Sequence, residues 1–261
     1  AVLTRGAGWT EEEKAALFDA IDYEQGAGGA QSVPAGGDYG EASTWKAGKV
    51  PGAGESTMVR GPGEVVFSGG SMAKTATVDV FAEFGRTATF RQTGGYFATS
   101  DDFNIGTGSI RNMEGSGYVY ITGGTNKLTG TGKAWTVGRL QNAYAEVSGS
   151  GVLDCSVSPM YIAPSWAGGM RYAEFHLRTG GTFIGTVINN NNGGGGKFVF
   201  DGGTCVPTAS NPFTGSDRLY VAEGGVVIDT EARDVSVSYA LQAYVEQPGG
   251  LVKLGTGGLT L

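Results

Sequence analysis

One pattern constrains this chain more than any other: two or three β-prone residues, a small hydroxyl or acidic residue, and then Gly-Gly. It reads Val65-Val66-Phe67-Ser68-Gly69-Gly70, then Phe90-Arg91-Gln92-Thr93-Gly94-Gly95, then Val119-Tyr120-Ile121-Thr122-Gly123-Gly124. It is broken once at Gly149-Ser150-Gly151 and returns before Gly180, Gly202, Gly224 and Gly249. The first glycines at 69, 94, 123, 149, 180, 202, 224 and 249 are 25, 29, 26, 31, 22, 22 and 25 residues apart. Each interval is the length of one solenoid coil, so the sequence predicts a stack of about eight coils. Four residues before each first glycine stand Val65, Phe90, Val119, Ala145, His176, Phe198, Tyr220 and Val245, a mostly apolar row expected to face inward. In the fifth unit Phe175 and Leu177 are the apolar pair, so the phase slips by one and His176 and Arg178 turn outward.

Length and charge narrow the class further. A chain of 261 residues allows one elongated domain, and 48 glycines without a strict every-third period exclude collagen. A net charge of −7 argues against nucleic acid and anionic membrane as partners, because both require Lys/Arg stripes. No apolar run reaches the roughly 18 residues of a membrane span. Ala1 in place of Met reads as a processed or excised segment. Cys155 and Cys205 would allow one disulfide in an oxidising compartment. They fall in units four and six, however, and two coil spacings of about 4.8 Å exceed the Cα reach of about 7 Å, so buried free thiols are the competing expectation.

Three segments follow. Residues 1–26 hold a helix over 9–25, with Thr10 and Glu13 as a capping box and Leu17, Phe18 and Ile21 as its apolar face. The helix is expected to cap the first coil or to dock on a neighbouring subunit. Residues 27–62 read as irregular Gly/Pro/Ser-rich wrapping, and residues 63–261 as the solenoid.

Trp45-Lys46-Ala47-Gly48-Lys49-Val50-Pro51-Gly52-Ala53-Gly54-Glu55, and the closing Gly249-Gly250-Leu251-Val252-Lys253-Leu254-Gly255-Thr256-Gly257-Gly258-Leu259-Thr260-Leu261, carry a resemblance. They are similar to the opening and repeat units of bacterial surface proteins with autotransporter-associated β-strand repeats. The resemblance implies a secreted or surface-displayed parallel β-helix, non-enzymatic, acting in adhesion or as a spacer. The intervening coils share its rhythm but not its motif.

Little in the sequence points to catalysis. His176 is the single histidine, which removes multi-histidine metal sites. With Glu174 and Arg178 at period two, it reads as part of a solvated strand face. Asp101-Asp102 is the best acidic pair for polysaccharide chemistry, with Arg111, Glu114 and Asp154 as partners across coils, yet neighbours on a strand point to opposite faces. The run from Asn189 to Gly196 reads as a corner rather than a ligand site. Trp135, Trp166, Tyr161 and Tyr172 are candidates for stacking on sugars, set against roles in the core.

The resulting expectation is an all-β, single-stranded parallel β-helix without cofactor or metal, a non-catalytic extracellular structural or adhesive protein. It would associate with itself end to end through Leu17, Phe18, Ile21, Trp45, Leu251, Leu254, Leu259 and Leu261, with surface glycans as further partners. The alternative is a β-helix that binds or cleaves carbohydrate. Convergent carboxylates and Lys/Arg on one face would favour that alternative, whereas featureless Ser/Thr/Asn faces with sticky ends would favour a scaffold.

Overall fold

A computed structural model describes residues 8–10, 12–14, 16, 29–107, 115–164, 172–189, 195–215 and 218–261, with 71–74 described in backbone only. The chain is a nearly all-β solenoid of about 8 turns. Its coils contribute to three parallel sheets, and every pairing between named strands is parallel. The first sheet precedes the glycine column and includes Glu64–Phe67, Thr87–Gln92, Tyr172–Arg178, Gly195–Asp201 and Leu219–Val221. The second follows it, with Tyr96–Thr99, Thr204–Pro207 and Val226–Asp229. The third holds Thr57–Arg60, Val78–Phe81, Phe103–Ile105 and Trp135–Val137. The long strands Ser116–Leu128 and Asn142–Ile162 run from one sheet into the next.

The interior row of the first sheet is Val65, Phe90, Val119, Ala145, Phe175, Phe198, Leu219 and Leu241, each opposite the next. The slip at His176 is therefore present, and Phe175 takes the inward position. Two members of the sequence-derived row are corrected. Tyr220 points outward while its neighbour Leu219 fills the row, and Val245 lies past the strand Leu241–Ala243 and is exposed. Fixed counting back from the glycine fails there because the strand ends earlier relative to the turn.

The glycines themselves stack on one another. Gly95 has φ +69°, and a Cβ built on it would stand 2.6 Å from the Gly70 carbonyl oxygen of the preceding coil. Only glycine allows both this conformation and this approach. The corner is thus a column of backbone on backbone.

Inside, rings touch from coil to coil. The contacts run Trp45–Tyr39–Phe67–Phe97–Phe90–Phe103–Trp135–Phe175–Phe198–Phe213, with centroids 5.0–6.2 Å apart across the core. Edge-to-face and offset packing of this kind adds to the area buried. Trp135 belongs to this core, which removes it from the sugar-stacking candidates.

Pairing extends back into the 27–62 segment: Ala30–Gln31 lies along Thr57–Arg60 and Gly36–Asp38 along Glu64–Phe67. Trp45 is 1% exposed and donates its indole N–H to the Tyr39 carbonyl at 2.9 Å. It plugs the first coil and is not an assembly contact. Across this end, Ser32 and Trp45 form an antiparallel bridge, and the Lys46 N–H donates to the Gln31 carbonyl. Backbone groups that would have templated a neighbour's strand are used by the chain's own loop.

Earlier still, residues 12–14 are helical, and the Thr10–Glu13 box closes reciprocally at 2.9 and 3.1 Å. Leu17, Phe18 and Ile21 lie outside the described residues. At the other end Leu251, Val252, Leu254 and Leu261 are exposed and Leu259 is half-buried. Open clefts there are lined by Val226, Leu241, Pro248 and Leu251, and by Val237, Tyr239 and Leu261. Cys155 and Cys205 are free, buried thiols, with burial pushing Cys205 up to about 12. The strand Thr182–Ile188 lies between them, so no bridge forms.

Candidate binding face

Outward positions of the first sheet carry an aromatic and charged cluster. Because side chains alternate, residues beside the inward row align across coils on the outside. One outer column reads Thr89, Tyr118, Tyr144, Glu174, Lys197. The next reads Arg91, Tyr120, Glu146, His176, Val199, Tyr220, Gln242. Ring contacts link Tyr118 to Tyr144 at 6.0 Å, Tyr120 to Tyr144 at 5.8 Å and Tyr144 to His176 at 5.0 Å. Arg91 lies 4.5 Å over the Tyr120 ring and pairs with Glu64 at 2.6 Å.

Glu174 is the hub. Its carboxylate accepts hydrogen bonds from the Tyr172 hydroxyl, from Lys197 Nζ at 2.7 Å and from the Tyr244 hydroxyl at 3.1 Å, and it contacts His176 Nε2 at 2.9 Å. Lys197 sits within 5.1–5.7 Å of the Tyr172, Tyr220 and Tyr244 ring centroids. Tyr244 comes from the coil near the end of the chain and reaches His176 with its ring at 5.5 Å. The cluster therefore straps four successive coils together from outside. Glu174 and His176 are only 5% exposed although they face away from the core. The sequence placed His176 on a solvated face; tyrosines cover it instead. Arg178, 44% exposed at its side chain, is the solvated member, paired with Glu146 at 2.8 Å.

These contacts fix protonation. Burial pushes the Glu174 carboxyl up, but hydrogen bonds from His176, Lys197 and Tyr172 outweigh it and hold the group well below the usual carboxylate range. Burial lowers Lys197, but hydrogen bonds to Glu174 and Tyr172 reverse that and raise it. Burial and the bond to Glu146 raise Tyr144; the bond to Glu174 and burial raise Tyr172; burial and the Glu174 charge raise Tyr244. At neutral pH the carboxylate is held ionised, the ammonium charged and the phenols neutral. A general acid or base needs a value near the working pH, and these groups are moved away from it.

The other acidic candidates do not converge here. Asp101 pairs with Lys133 at 2.7 Å, and Asp102 accepts the Ala134 N–H at 2.9 Å, so the pair staples a turn to the next coil. Asp154 pairs with Lys127 on the second sheet. Arg111, Glu114 and Trp166 lie outside the described residues, and Tyr161 stands on the third sheet, away from this face. Tyr172, 52% exposed, is the one sugar-stacking candidate that the fold brings to the cluster. Sequence reasoning missed Tyr118, Tyr120, Tyr144, Lys197, Tyr220 and Tyr244. Their signal was available in the flanks of the inward row, where Tyr118-Val119-Tyr120 and Tyr144-Ala145-Glu146 alternate about it.

Among the described residues no group of three or more His, Cys, Asp and Glu is placed to hold a metal ion. None of their helices is long and apolar enough to cross a membrane. No protein-family model, curated protein or solved structure matches the chain.

Proposed function

We propose that the protein is a non-catalytic structural and adhesive β-solenoid of a bacterial surface or secreted layer, with the tyrosine-lined face as its working surface. One observation carries the reading: aromatic rings and mutually neutralised charges align on successive coils, held rigid yet partly open to solvent. Rings fixed in this way lose little conformational freedom on binding. The convergence of Glu146 and Glu174 with Arg178 and Lys197 also favours carbohydrate recognition over a featureless spacer. The shifted ionisations point to binding rather than cleavage. The closing Gly249–Leu261 segment supports the surface setting through its similarity to autotransporter-associated repeats, and it folds as a strand of the second sheet and a strand of a separate two-stranded sheet with Val235–Ser236. The exposed Leu251–Leu254 strand is where a further coil or a second copy would add.

The experiment is to incubate the labelled chain with insoluble cell-wall and extracellular polymer, measuring both retention and release of soluble product. Retention that is lost when Tyr120 and Tyr172 become Ala, with no product released, is the expected result. Release of shortened polymer, or retention indifferent to these changes, would overturn it.

A further inference from the structure

The geometry of this face also defines a ligand class, an inference that rests on the adhesive reading above. We propose that Tyr118, Tyr120, Tyr144 and Tyr172 bind an uncharged polysaccharide lying along the solenoid axis, with Glu146 and Arg178 hydrogen bonding its hydroxyls.

Strands of the first sheet use their backbone N–H and C=O groups in parallel ladders with the coils on either side. A peptide that adds as a further β-strand is recognised through free strand edges, and the middle of this face has none. Polyanions are disfavoured on two counts: the chain carries −7, and on the face itself the cations of Arg91, Arg178 and Lys197 are paired with the carboxylates of Glu64, Glu146, Glu174 and Asp201. Those cations are already engaged by the carboxylates. An acidic polysaccharide would have to displace them.

What remains is the exposed ring of Tyr172 and the half-buried rings of Tyr118, Tyr120 and Tyr144, the Tyr120 ring with Arg91 over it, and fixed hydrogen-bonding groups at their edges. The C–H face of a pyranose is apolar and packs on such a ring, while its equatorial hydroxyls both donate and accept. Glu146 accepts from Tyr144 at 2.8 Å and from Ser148 at 3.0 Å and retains lone pairs for more donors. Arg178, beside it, reaches Glu146, the Tyr144 hydroxyl at 3.4 Å and Asp201 at 3.7 Å, and with five N–H groups and a side chain 44% exposed it has donors beyond these three contacts. Coils repeat about every 4.8 Å along the axis, so rings in successive coils present a periodic surface that suits a linear polymer better than a single sugar.

The test is isothermal titration, or affinity electrophoresis, of the intact chain against soluble neutral glucan, mannan and xylan and against acidic polygalacturonate and alginate. At least one neutral polymer is expected to bind, and the acidic ones to bind more weakly. Changing Tyr120 and Tyr172 together to Ala is expected to weaken binding at least about tenfold, equivalent to about 1.4 kcal/mol. The double Phe variant, which retains the rings, is expected to stay within about threefold of wild type. Tyr96→Ala, an exposed ring on the second sheet, serves as a folded control and is expected to change nothing. Circular dichroism of each variant separates lost binding from lost fold. The proposal is overturned if no neutral polymer binds, or if the Ala pair binds as wild type does. It is also overturned if acidic polymers bind more tightly and lose affinity in the same variants; that last outcome would remove the ligand class while leaving the adhesive face in place.

Discussion

Two ion pairs in this molecule are alike in chemistry and opposite in setting, each with a carboxylate that is buried. Arg60 and Glu83 meet at 2.6 Å, with side chains 2% and 1% exposed, where two strands of the third sheet lie side by side. Arg60 also donates its backbone N–H to the Ser32 hydroxyl. Glu174 and Lys197 meet at 2.7 Å on the outside of the first sheet and are buried by other polar side chains. The first pair is sealed by the fold itself. The second is sealed by tyrosines whose own rings stay partly open. Burial alone therefore does not mark a core residue here; what covers the residue separates a structural charge from one held ready at a surface.

That contrast can be broken at several points. Glu83→Gln leaves the Arg60 guanidinium buried without its counter-charge and is expected to cost about 3–5 kcal/mol by urea denaturation, with no specific effect on ligand affinity beyond lost fold. Phe198→Ala, in the fully buried spine, is expected to cost a similar ~3–5 kcal/mol. Glu174→Gln is expected to cost less, about 2 kcal/mol, because its tyrosine partners can turn to solvent. His176→Ser should exceed Arg178→Ser, which is expected to stay within about 0.5 kcal/mol because Arg178 is exposed. Equal losses at Glu83 and Glu174 would erase the distinction.

The pH dependence sharpens it. Glu174 is depressed in the folded state, so its contribution is present above the ordinary carboxylate value and lost as pH falls through its lowered one. Lys197 is raised, so its contribution is present below the ordinary lysine value and lost as pH rises through the higher one. The contribution of the Glu174–Lys197 pair is thus level between about pH 5 and pH 10. The stability difference between wild type and Glu174→Gln is expected to shrink from pH 7 toward pH 3. A constant difference across that range would show that the carboxylate's charge is not what the cluster uses.

Much of the architecture was legible because it rests on covalent necessity. A corner that requires positive φ and backbone contact admits only glycine, and so Gly70, Gly95, Gly124 and Gly180 mark the coil count directly. The phase slip at Phe175 was readable for the same reason, since one misplaced apolar residue shows against a strict alternation. The plug made by Trp45 was not, because an aromatic in a Gly/Pro-rich loop looks the same whether it lies inward or outward. The binding face was harder still. Tyr244 joins Glu174 across 70 residues, and no local period announces a contact that depends on two intervening coils being stacked in register. Single positions such as His176 were read from their own strand, whereas their burial is decided by Tyr144 and Tyr244 on others.

The stacked glycine corner has a consequence for how such a chain can change over time. Coil lengths here vary from 22 to 31 residues while the column stays aligned, so added residues are absorbed in the loops between corners. An extra residue in a strand beside the column has to be taken up on the spot by a bulge, as between Ile121–Gly123 and Val147–Ser150, and a side chain at the column itself would pry two coils apart. The heritable unit is therefore either a whole coil or a loop, and little between them. Duplicating a coil extends the tyrosine face by another step, and lengthening a loop decorates it, without the rest of the stack having to be reinvented.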